Sequence, residues 1–130
     1  MFGALACTEP ATELVVSVEA APIGTVVFGQ PATHIVRLRN TSTESLRLWR
    51  CDTAVGAYID QREHARWSET GSFAVWCLGI YPSLELQLAP GAEYISPIYL
   101  ESAGAGTLRV RILFRAMHNE QALTAISNTI

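Results

Sequence analysis

Two stretches of this chain alternate without a slip: THIVRLRN at 33–40 and TLRVRILF at 107–114. In the first, His34, Val36 and Leu38 fall on one side and Ile35, Arg37 and Arg39 on the other. In the second, Leu108, Val110, Ile112 and Phe114 share a face. A period of two is the side-chain spacing of a β-strand; wound on a helix it would scatter the apolar residues round the axis. These segments commit the chain to sheet, with one face of each strand turned to a core. No stretch shows a comparable helical period.

The rest follows the same rhythm. ELVVSVEA reads as a first strand, and TVVF as a short run ended by Gly29-Gln30-Pro31. The polar run from Asn40 to Ser45 is a turn by composition. LRLW after it alternates again, so RLRN and LRLW are expected to pair as a hairpin. AYID is a short strand. Beyond it DQREHARWSETGS is charged and aperiodic, and the stretch from Asp52 to Ser72 is expected to be mainly a long loop. FAVWC and LELQL follow, the latter with Leu84, Leu86 and Leu88 on one face. EYISPIYL contains Pro97, which has no N–H for a ladder and predicts an edge strand or a bulge. ALTAISNTI closes the chain as a last strand. About seven to nine short strands separated by frequent turn signals make an all-β, antiparallel sandwich. The 130 residues suffice for one domain. Residues 13–130 form it, and 1–12 are a flexible lead-in.

Charge narrows the function. All nine basic residues are arginine, against twelve acids, for a net charge of −3. A nucleic-acid surface needs clustered positive charge, which this balance argues against. Arg37, Arg39, Arg47, Arg109, Arg111 and Arg115 recur in strand-like segments, as the solvated face of a sheet or as an anion-binding stripe. No run approaches the roughly 18 apolar residues of a membrane helix.

The turn Leu88-Ala89-Pro90-Gly91 before one strand, and Ser127-Asn128 in the last, carry a resemblance. With the order of strands around them, the chain from about Glu13 to Ile130 resembles the immunoglobulin-like domains of bacterial cell-envelope proteins. It is also similar in layout to the proteinase-inhibitor-type sandwich of bacilli. Such domains often run on past the Ser-Asn strand, so a short final strand or a truncated chain is implied. The resemblance implies a non-enzymatic binding or structural module, extracytoplasmic, in the periplasm or envelope, that meets a protein partner through loops. The alternative it implies is a proteinase inhibitor presenting one exposed loop to a protease.

Three cysteines bear on the compartment: Cys7, Cys51 and Cys77. Cys51 and Cys77 enclose 25 residues. A bridge between them would add about 3 kcal/mol by the chain-entropy estimate and would tether the least patterned part of the chain. The alternative is two buried thiols acting as small hydrophobes. Zinc bound by Cys51, Cys77 and His64 lacks the close ligand pairs such a site uses, and copper lacks the histidine that should follow the cysteine. Neither a metal nor any other cofactor is expected. Cys7, after Ala4-Leu5-Ala6, stands where a lipoprotein precursor is cut, and so is either the lipid-bearing residue or part of an inert tail. MFGALA alone is too short for a whole signal peptide.

Catalysis finds no footing. There is no Gly-x-Ser-x-Gly elbow, and the glycine-rich stretches do not join a strand to a helix. Asp60, Glu63, His64 and Glu69 gather titratable groups in one charged segment, the usual composition of a solvated loop. His34 is expected at a core edge and His118 in a turn. Asn40-Thr41-Ser42 matches a glycosylation sequon that the turn already explains. The expected partner-binding surface is Tyr58, Arg62, His64, Arg66 and Trp67, residue types that anchor interfaces. Trp67 is either an exposed hot spot or a lid on the core.

Overall fold

Alternation becomes burial. In the computed structural model, which describes residues 13–75, 83–100, 107–118 and 121–130, the strands run in order β1 (Leu14–Ala20), β2 (Val26–Val27), β3 (Gln30–Pro31), β4 (His34–Asn40), β5 (Leu46–Cys51), β6 (Ala54–Val55), β7 (Ala57–Glu63), β8 (Arg66–Val75), β9 (Ser83–Leu88), β10 (Glu93–Ile98), β11 (Thr107–Ala116) and β12 (Leu123–Ile126). Twelve strands are thus described, against an expectation of seven to nine; β2, β3 and β6 are two-residue bridges and account for the excess. Every pairing is antiparallel.

Two sheets make the sandwich. The smaller has the order β1-β4-β10. The larger has the order β6-β5-β11-β7-β8, with β12 also on β11 and β9 also on β5; β2 and β3 form a small ribbon. Leu14, Val16, Val18, Val36, Leu38 and Ile98 face inward from the first sheet, and Leu46, Leu48, Val110, Ile112 and Phe114 from the second. Each such side chain taken out of water contributes about 1.5–3 kcal/mol before conformational entropy is subtracted. Pro97 lies on β10, at the end of the smaller sheet, where a missing N–H breaks no ladder on the outer side. Leu88 is buried on β9, but Leu84 at its other end is 40% exposed.

RLRN and LRLW do not form a hairpin. β4 belongs to the smaller sheet and β5 to the larger, so the connection from 41 to 45 crosses between layers. Asn40, wholly buried, turns the chain. Its Nδ2 donates to the carbonyls of Glu44 (2.9 Å) and Leu88 (2.8 Å), and its Oδ1 accepts from the N–H (2.9 Å) and hydroxyl (2.7 Å) of Ser42. An asparagine followed by Thr-Ser thus acts as the corner of the sandwich, its hydrogen bonds replacing those of a two-strand turn.

Side chains also tie one sheet to the other. Ser96 Oγ on β10 accepts from the Val55 N–H at 2.8 Å. The Tyr94 hydroxyl donates to the Thr53 carbonyl at 2.7 Å. Within the larger sheet, Ser127 Oγ, just after β12, accepts from the Val110 N–H at 2.8 Å. Beside it, Asn128 takes the Val18 N–H on Oδ1 (2.7 Å) and gives Nδ2 to the Val18 carbonyl (3.1 Å). The amide of Asn128 therefore pairs with β1 as a neighbouring strand would.

Candidate functional site

The segment expected to be a loop is two strands. β7 and β8 pair from Ala57↔Val75 to Glu63↔Arg66, with register irregularities at Ala57/Tyr58 and Tyr58/Asp60. The turn between them is two residues, His64 (φ 49°) and Ala65 (φ 65°). Positive φ at both central positions is the geometry whose twist suits a tight hairpin, and it usually selects Asn-Gly. The His-Ala dipeptide gives no such signal, which is why the hairpin was not legible.

The outward face of this hairpin explains the charged composition. Asp60 on β7 is 4% exposed. It sits directly opposite Arg109 of β11, with Arg111 two residues further on. Arg109 Nε donates to Asp60 Oδ2 at 3.1 Å, and Arg111 Nε approaches the same carboxylate at 3.3 Å. Each guanidinium also covers an aromatic ring: Arg109 lies 4.2 Å from the Trp67 ring centre, and Arg111 lies 4.8 Å from that of Tyr58. A buried carboxylate, two arginines and two aromatic rings form one stacked layer across β8, β7 and β11. A planar guanidinium can satisfy a carboxylate with its edge and an aromatic ring with its face at once, which a lysine cannot do.

The expected surface residues therefore divide. Tyr58 and Trp67 are half-buried, with Arg111 over the ring of Tyr58 and Arg109 over that of Trp67. Arg62, His64 and Arg66 are exposed around the hairpin tip. Arg62 pairs in register with Trp67. The layer through Asp60, Arg109 and Arg111 escaped the sequence reading because those arginines alternate as any solvated face would. On the opposite sheet Arg37 is the more ordinary case, an exposed guanidinium bridging Glu19 of β1 and Glu93 of β10.

The remaining expectations fall as follows. Cys51 is completely buried at the end of β5; Cys77 and Cys7 lie outside the described residues. His34 is half-buried, with Nδ1 2.9 Å from the Thr33 hydroxyl, and burial lowers its pKa from the usual value. His118 is in a turn. Among the described residues no cluster of three histidine, cysteine or acidic side chains could hold a metal ion, and no helix is long and apolar enough to cross a membrane. Comparison with family models, curated proteins and solved structures gives no match.

Proposed function

We propose that this chain is a non-enzymatic binding or structural module of the bacterial cell envelope, an immunoglobulin-like domain that recognises a protein partner through the β7–β8 hairpin. One observation carries the recognition surface: a tip bearing exposed Arg62, His64 and Arg66 stands on a base braced by Asp60, Arg109 and Arg111. A braced base means the tip loses little conformational freedom on binding, and that saving favours affinity. β8 is also a terminal strand of its sheet among the described residues, an edge of the kind that peptide partners extend.

The envelope assignment rests on the three cysteines and on the resemblance of the Leu88–Gly91 turn and the Ser127-Asn128 strand. Cys51 is proposed to pair with Cys77 because a bridge there would close the 25-residue segment between them; the complete burial of Cys51 suits a bridge and a buried thiol alike. Cys7 is proposed as the lipid-bearing residue. The recognition surface is tested by placing a photo-crosslinking residue at position 66 and irradiating envelope fractions. A discrete product that disappears when Arg62 and His64 are both alanine, at unchanged Tm, is the expected result. A product indifferent to those changes, or none, overturns the assignment.

The proteinase-inhibitor reading has one observation in its favour, an exposed tip standing on a braced base. An inhibitor would slow at least one member of a panel of serine and cysteine proteases and survive uncleaved. Absence of inhibition across the panel removes it.

A further inference from the structure

A second site lies on the other half of the larger sheet, remote in sequence from the hairpin. β5 and β11 pair only through Arg47↔Arg115 and Leu46↔Ala116, and beyond that point they diverge. Where β5 and β11 part, beside the paired β9, lies a cleft of about 300 Å³, lined among others by Arg47, Trp49, Glu85, Leu113 and Arg115. That volume is at the small end of the range in which proteins hold small organic molecules.

The lining has two chemistries. Arg47 and Arg115 come from directly opposed positions on neighbouring strands, where like charges repel. Glu85 answers Arg47 across 4.0 Å, which leaves the cleft's described lining with two guanidiniums to one carboxylate. Apolar surface fills the rest on that face: Leu113, two residues from Arg115, and the indole of Trp49. That indole is fixed in place. It lies so closely on Gly56 that a Cβ at position 56 would sit 2.0 Å from the ring, and the Gly56 N–H donates to the Trp49 carbonyl at 3.0 Å. The cleft thus offers a rigid aromatic wall, an aliphatic wall and a mouth of positive charge.

We propose that this cleft binds a small monoanionic amphiphile, a carboxylate on an aromatic or short aliphatic body. The carboxylate bridges Arg47 and Arg115 and relieves their opposition, while the body lies against Trp49 and Leu113. Phosphate esters fit less well, because Glu85 at the mouth repels a second negative charge.

The test uses phenylacetate, 4-phenylbutyrate and octanoate, each against its neutral amide, titrated into the intact protein while the Trp49 indole N–H is followed by NMR. At least one carboxylate is expected to shift that resonance saturably and to bind about ten-fold or more tighter than its amide, the scale of a charge-assisted hydrogen bond. Arg115→Gln, at an exposed position that keeps the fold, is expected to erase that preference, whereas Arg37→Gln on the opposite sheet leaves it intact. Equal binding of acid and amide, an unmoved Trp49 signal with all three acids, or full affinity in Arg115→Gln each overturns the proposal.

Discussion

Gly56 is the residue at which a single atom decides most. Any side chain there meets the Trp49 ring, so Gly56→Ala must displace the indole or the β6–β7 backbone. A loss of about 2–3 kcal/mol is expected, in the range of an overpacked core, and chemical denaturation measures it. Asp60 is decisive for a different reason. Asp60→Asn keeps the volume but removes the charge that two part-buried arginines share. The expected cost is about 2–4 kcal/mol, since both guanidiniums keep their desolvation and lose their partner. If the variant melts like the parent, the stacked layer contributes nothing to stability. His34 sets a pH dependence. Its pKa in the folded state is lowered by burial, so the unfolded chain binds the proton more readily. Stability from this group is complete above about pH 6.5 and falls as pH drops toward the lower folded pKa. Thermal melts between pH 8 and pH 5 should show an acid-side decline that is shallower in His34→Gln, with the two proteins running parallel above pH 7.

At the scale of elements, legibility followed the distance of each strand from the core. β4 and β11 declared themselves because one face of each is sealed and arginines recur along the other. β7 and β8 did not, because Asp60 is buried on the face that should be polar, and because two residues with positive φ close the turn without glycine or asparagine. The corner after β4 looked like a hairpin since Asn-Thr-Ser suits both; only the Leu88 carbonyl waiting across the sandwich distinguishes them, and sequence does not show it. The hairpin turn supplies its own test. Replacing His64-Ala65 by Asn-Gly relieves two left-handed residues and should stabilise the protein by about 0.5–1 kcal/mol, read as a Tm several degrees higher. A lower Tm would mean that His64 or Ala65 makes a contact worth more than the strain.

The whole molecule is two sheets fastened by polar side chains at their margins, and the proposed Cys51–Cys77 bridge would add a covalent fastening where β5 ends. Intact mass after thiol alkylation, on protein folded in an oxidising compartment, is expected to show Cys51 and Cys77 protected until reductant is added. Three alkylated thiols without reductant would remove the bridge and, with it, the best argument for an exported domain.

The clasp of Asn128 on Val18 has a consequence in time. The two residues are 110 positions apart, so the edge of the first strand stays open until nearly all of the described chain has left the ribosome or the export channel. Contacts of that span close late and slowly. During the interval the edge of β1 can pair with any extended segment nearby. A holding chaperone, or passage through a channel too narrow for folded protein, would keep that edge unpaired until residue 128 arrives to cover it.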